Sequence, residues 1–165
     1  MSYDVQISRV ELCAVIELQG RQEAIASWVG ADIPDFPTAP NTVTTRENLS
    51  LYWIAEQRWL LQAAIEDEDR LLSITRVETA PLEISIVLVS DTLKYFRITG
   101  ADAEQVISIA SSIDTDLSVF PENAVTYTEA FGIRALLLRC SGGFEIAVES
   151  SYADMIEDYL QRATS

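Results

Sequence analysis

The stretch Ile133-Arg134-Ala135-Leu136-Leu137-Leu138-Arg139-Cys140-Ser141-Gly142-Gly143-Phe144-Glu145-Ile146-Ala147-Val148-Glu149 decides the fold. Ile133 to Cys140 has little polarity, as in a strand covered on both faces, and Ser141-Gly142-Gly143 supplies the positive φ angles of a tight turn. Beyond the turn Phe144, Ile146 and Val148 share one parity, with Glu145 and Glu149 on the other. Two strands joined so closely must be antiparallel.

Working outward, Ser151 and Asp154 stand at capping spacing before a helix bearing Tyr152, Met155, Ile156, Tyr159 and Leu160. Upstream, Val125, Tyr127 and Phe131 share a strand parity. Thr99 and Asp102 precede an amphipathic helix with Val106, Ile109, Ala110 and Ile113 on one face. Leu82 to Val89 reads as a strand buried on both faces, followed by a strand over 92–99. In the first half, Val10, Leu12, Ala14, Ile16 and Leu18 alternate as one strand, and Arg21 to Val29 predicts a helix stopped by Gly30. Pro34, Pro37 and Pro40 then forbid regular structure from Gly30 to Asn41. Leu49 to Ile54 and Arg58 to Ala63 form a hairpin around Ala55-Glu56-Gln57, and Glu66 to Ile74 is weakly helical. Hairpins dominate the connections, so the class is α+β with largely antiparallel sheets and helices packed on them. No period of about 20–50 residues repeats along the chain.

With 165 residues, 48% of them hydrophobic, the chain can bury one core, so a single domain over 1–165 is expected, with sub-halves at 1–80 and 81–165. Lys plus Arg number 11 against 26 Asp plus Glu, a net charge of −15 that disfavours nucleic acid and anionic membrane surfaces. The absence of His excludes imidazole-based triads and the usual His-rich metal sites. Cys13 and Cys140 belong to no C-x-x-C pair and read as buried free thiols. The N-terminus lacks a basic region followed by an apolar one, and the apolar run over 84–89 is far too short to span a membrane. A soluble, reduced, cytoplasmic protein is expected. All basic residues except Lys94 are Arg, which suits docking contacts as well as it suits coding bias.

Few side chains suggest chemistry. Glu66-Asp67-Glu68-Asp69 lacks calcium-loop spacing and reads as a solvated face. Asp114 and Asp116 could form an acid/base pair, but loop carboxylates at this spacing more often tie a turn. No G-x-S-x-G, phosphate-loop or dinucleotide motif occurs. Trp28, Trp53 and Trp59 read as core anchors.

Val89-Ser90-Asp91, Arg97-Ile98-Thr99-Gly100-Ala101-Asp102-Ala103, Asp116-Leu117, Phe120-Pro121 and Ser151-Tyr152-Ala153 follow one another along the chain. This order of motifs resembles the gamma subunit family of heterotetrameric sarcosine oxidase. Tyr52 to Leu61 resembles a further hairpin of that family, with Ala55-Glu56-Gln57-Arg58 replacing its usual Gly-Pro-Asp-Glu turn and Ala101 standing for Pro. The arrangement is also similar to the folate-binding domain of the glycine-cleavage aminomethyltransferase, which implies ferredoxin-like halves. In that enzyme one strand bears an acid that handles the amine; the matching strand here reads Gly132-Ile133-Arg134-Ala135-Leu136. An arginine cannot accept that proton.

The resemblance implies a non-catalytic subunit, with no cofactor of its own, that packs on and stabilises alpha- and beta-type subunits carrying FAD, FMN, NAD and tetrahydrofolate. The alternative is a stand-alone folate or one-carbon binding protein without transferase activity. In isolation the docking surface could bury itself in a homodimer. Phe36, held between prolines, is the expected partner anchor, an aromatic folded back on its own core being the competing reading.

Overall fold

The computed structural model describes residues 3–165. Along the chain lie β1 (Gln6–Arg9), β2 (Cys13–Gln19), α1 (Gln22–Val29), β3 (Val43–Arg46), β4 (Leu49–Ala55), β5 (Arg58–Ala64) and α2 (Glu68–Thr75). There follow β6 (Ser85–Leu88), β7 (Leu93–Thr99), α3 (Ala103–Ala110), β8 (Val125–Ala130), β9 (Ile133–Cys140), β10 (Gly143–Glu149) and α4 (Ala153–Ala163). The class is α+β, and every strand pairing is antiparallel.

Two compact units share these elements: a nested unit, Leu12–Ser90, and a split unit in which residues up to Glu11 join Asp91–Ser165. The boundary thus falls at residues 90/91 where 80/81 was expected, and the first strand belongs with the last third of the chain. For that reason the alternation from Val10 to Leu18 breaks into β1 and β2, with Val10 and Leu12 in the crossing between units.

Both units follow one plan. The nested sheet has the order β3-β4-β5-β2-β6, and the split sheet, written from β8, the order β8-β9-β10-β7-β1. Starting from β2 or β7, each path runs strand, helix, three strands, helix, with a closing strand beside the first. That is the ferredoxin-like split βαβ arrangement with one added edge strand. In the split unit the closing strand comes from the other end of the chain, a circular permutation.

Local geometry repeats as well. Gly20 after β2 and Gly100 after β7 have φ +140 and +130, and both pack on backbone just before the closing strand. A Cβ on Gly20 would meet Glu83 O at 3.1 Å, and one on Gly100 would overlap Asp4 O and lie 2.9 Å from Val5 Cα. The middle hairpins turn through Gln57 (φ 56) and Gly142 (φ 77) at equivalent places. One core packs α1 and α2 on Ile16, Leu18, Leu51, Trp59 and Leu61; the other packs α3 and α4 on Phe96, Ile98, Leu137, Phe144 and Ile146. Each such side chain, fully buried, contributes about 1.5–3 kcal/mol.

Several expected details change. β6 is a short edge strand: Leu82 lies exposed in the turn before it, Val87 lies exposed on it, and Ile84 and Ile86 reach the core. In α3 the buried set is Ala103, Val106, Ile107 and Ala110; Ile109 is exposed, and the helix ends before Ile113. Neither expected capping box forms. The Asp102 carboxylate accepts the Asp4 N–H at 2.7 Å, and that of Asp154 pairs with Arg9 at 2.7 Å.

Gly100→Ala is expected to cost about 2–4 kcal/mol, because strain and overlap add. Gly132→Ala, where a Cβ meets nothing within 4 Å, should cost about 1 kcal/mol from its positive φ alone. Urea unfolding followed by circular dichroism compares them; equal costs would contradict the close-approach role of Gly100.

Candidate functional site

The connections from first helix to next strand, α1–β3 and α3–β8, are built alike: an aromatic plug over the third strand and an arginine that ties the loop down. In the nested unit Phe36 is half-buried and meets Trp59 edge-on, centroids 5.2 Å apart. Arg46 on β3 donates to the carbonyls of Ala31 and Ile33, and Thr44 donates to that of Asp35. In the split unit Phe120 stacks on Phe144 at 6.4 Å, with Phe144 in the β10 position that Trp59 occupies in β5. Arg139, its side chain 10% exposed, donates Nε–H to Phe120 O at 2.7 Å and a terminal N–H to Thr115 O. Its guanidinium carbon is 4.6 Å from the Phe144 centroid, and Nη1 is 3.5 Å from Glu104 Oε1. A buried arginine stays charged, so removing its carbonyl partners would strand it.

Phe36 therefore sits as an aromatic folded back on its own core. Asp114 and Asp116 tie turns: Asp114 Oδ1 accepts the Asp116 N–H at 2.9 Å, and Asp116 Oδ1 accepts the Ser118 N–H at 2.8 Å and its hydroxyl at 2.5 Å. These donors hold the Asp116 carboxyl below the usual range, the wrong direction for a general acid. In the Glu66 to Asp69 cluster the acids open α2, where the helix N-terminus favours negative charge, and Glu68 accepts the Ser90 hydroxyl at 2.6 Å. Ser90 in turn accepts the Val15 N–H at 3.1 Å. Burial pushes the Cys140 thiol up, with Glu145 adding to the shift, so it is a protonated thiol at neutral pH. Trp28 and Trp53 donate to Thr75 O and Ala55 O at 2.8 and 2.9 Å, and Trp59 is 2% exposed.

Arg134 lies exposed, its guanidinium 4.2 Å from the Tyr127 ring centre, beside a shallow cleft that includes Glu149 and Tyr152. A larger cleft of about 480 Å³ lies at the N-terminus of α3, lined among others by Glu104, Leu117, Glu122, Arg139 and the Gly142–Gly143 turn. The glycines there serve the fold: a Cβ on Gly143 would strike Ile98 O. Among the described residues no group of three or more His, Cys, Asp or Glu is placed to hold a metal ion. No described helix is long and apolar enough to cross a membrane.

The profile of the sarcosine oxidase gamma subunit family matches residues 21–165. The chain belongs to that family. No curated protein matches it in sequence. A structure of heterotetrameric sarcosine oxidase from Corynebacterium sp. U-96, in complex with pyrrole 2-carboxylate, superposes with a TM-score of 0.85 at 18% identity, covering 97% of this chain and 83% of that one. Glycine cleavage system aminomethyltransferase T from Bartonella henselae superposes with a TM-score of 0.67 at 14% identity, over 96% of this chain and 46% of that one. At these identities the likenesses establish a shared fold.

For a gamma subunit family member, the resembling motifs have mechanical roles. Gly100 and Asp102 receive the backbone before β1, Ser90 joins β2 to α2, and Ser150, next to Ser151-Tyr152-Ala153, donates to Asp91 O. A flavin phosphate or folate glutamate needs a free cation or open backbone N–H groups. The larger cleft instead presents Glu104 and Glu122 around an arginine already engaged, so these residues do not fit such groups. Arg139 has no sequence signal beyond an arginine in an apolar strand.

Because the Asp116 carboxyl is held low, its ties to Ser118 persist above the ordinary aspartate range and are lost as pH falls through the lowered value. Protection of the Ser118 amide relative to its intrinsic exchange rate should persist through the ordinary aspartate range and be lost only below it, with Asp116→Asn abolishing that step. Iodoacetamide should alkylate Cys140 more slowly than a free cysteine at neutral pH.

Proposed function

We propose that this chain is the non-catalytic gamma-type subunit of a heterotetrameric sarcosine oxidase-like complex in cytoplasmic sarcosine catabolism. It packs on and stabilises larger alpha- and beta-type subunits, which hold FAD, FMN, NAD and tetrahydrofolate. The observation that carries this reading is the family match over residues 21–165. The chain's own chemistry supports it. The resemblance to the aminomethyltransferase asks for an acid on the strand where Arg134 stands, and the loop acids Asp114 and Asp116 tie turns. Nor do the arginines converge on an anion: each has a partner in its own unit, for example Arg58 with Glu17 at 2.9 Å and Arg97 with Glu145 at 2.5 Å. That disfavours a stand-alone folate carrier.

Co-expressed with large subunits of alpha and beta type, the chain should co-elute with them on size-exclusion chromatography. Omitting it should lower their thermal midpoint by several degrees, since a partner bound at 100 times its Kd adds about 2.7 kcal/mol. Elution of the chain alone, or submillimolar tetrahydrofolate binding by the isolated chain in calorimetry, would overturn the reading.

A further inference from the structure

We propose that the α3–β8 loop, residues 111–124, is the docking element of this subunit. Its occupant is a partner protein surface with an apolar centre and a rim of Lys or Arg. This inference rests on the subunit reading above and names the surface and the partner's chemistry.

Connections longer than about 12–15 residues without regular structure are uncommon and are usually functional or disordered. This one is tied down. Arg139 holds it at Phe120 and Thr115, two aspartates close its turns, and Phe120 is 4% exposed in the core beneath it. Yet it turns Leu117 (58% exposed) and Val119 (61%) toward solvent, and Ile109 on the adjoining helix is 47% exposed. A tied loop loses little freedom on binding, so apolar side chains mounted on it retain more of their burial energy. The equivalent loop of the nested unit, with the same plug and tie, exposes no large apolar side chain. The shared design thus accounts for the tethering and leaves Leu117 and Val119 unexplained by folding.

Charge identifies the occupant. Asp114, Asp116 and Glu122 are exposed on the same loop, and the Glu104 side chain is 56% exposed at the cleft that Leu117 borders. Arg139, the cation among them, is turned inward and engaged. The cleft of about 480 Å³ has room for a basic side chain of the partner between its two glutamates. A second copy of this chain would bring −15 against −15, which opposes a symmetric dimer.

The test uses the complex co-purified with the large subunits. Leu117→Asp/Val119→Asp should weaken association at least tenfold, as expected for central anchors, while Val87→Asp on the exposed edge strand leaves it unchanged. Glu104→Lys/Glu122→Lys should also weaken it and flatten its salt dependence. Circular dichroism verifies that each variant is folded, and the charge pair provides the test should the apolar pair fail to fold. Unchanged association in both folded variants, or equal loss with Val87→Asp, overturns the docking assignment while the subunit reading stands. If the unaltered chain never joins the large subunits, the subunit reading itself falls and takes this one with it. A dimer of the isolated chain that Leu117→Asp/Val119→Asp dissolves would make the occupant a second copy, against the proposal.

Discussion

The split unit depends on a closing strand that covalent connectivity does not deliver. β1 must find β7 across a chain separation that includes the whole nested unit, and closing a loop of that length is paid for in entropy. Its four residues, paired Gln6↔Thr99 to Arg9↔Phe96, offer only a short ladder. Both ends are therefore fastened. At one end Gly100 admits the Asp4–Val5 backbone where a Cβ could not fit, and Asp102 accepts the Asp4 N–H. At the other, Arg9 pairs with Asp154 at 2.7 Å and Glu157 at 2.5 Å on α4 and lies 5.5 Å from the Phe96 ring centre. These exposed ion pairs are individually weak, and the close backbone approach is the contact that tolerates no substitute.

Arginine turns out to serve cohesion. An arginine-rich, acidic chain suggests guanidinium groups waiting for partners, but the planar donor fork is spent on the chain's own carbonyls, carboxylates and rings. Arg46 and Arg139 tie down loops, Arg76 lies 3.9 Å from the Trp28 ring centre, and Arg58 and Arg97 cross from one central strand to the other. With most guanidinium groups engaged inside their own unit, the net charge of −15 is carried by the carboxylates left over.

Elements with strict periodicity were legible in the sequence: β9, its two-residue turn and β10 appear where alternation and Gly142 place them, and α1 ends at Gly30. Burial on a particular face was less legible, because an apolar run cannot report whether a strand lies at the centre or the edge of its sheet, as β6 shows. The duplication was hidden for two reasons. Its repeat is longer than ordinary solenoid periods, and one copy is permuted so that its last strand comes first. Equivalent positions have also diverged: Glu17 reaches diagonally to Arg58 in one unit, whereas Arg97, at the place of Glu17, pairs with Glu145 directly opposite it in the other. An ion pair between the two central strands is thus present in both units while the residues that make it differ. Arg139 was invisible because what matters is the carbonyls it reaches, and carbonyls have no letter in a sequence.

Two copies of one plan allow a division of labour that a single unit does not. The plug and the arginine tie are needed in both, since an untethered connection of that length would leave its helix and strand poorly packed. Once tied, a loop can change its outward side chains at little cost to its own fold, and exposed apolar residues then threaten solubility more than stability. A strongly acidic surface offsets that hazard by keeping copies apart, whatever the loop presents. The acidity and the exposed Leu117 and Val119 are thus two sides of one constraint: apolar side chains can be left uncovered on a free subunit to the extent that the surrounding charge admits a basic partner and refuses another copy of itself.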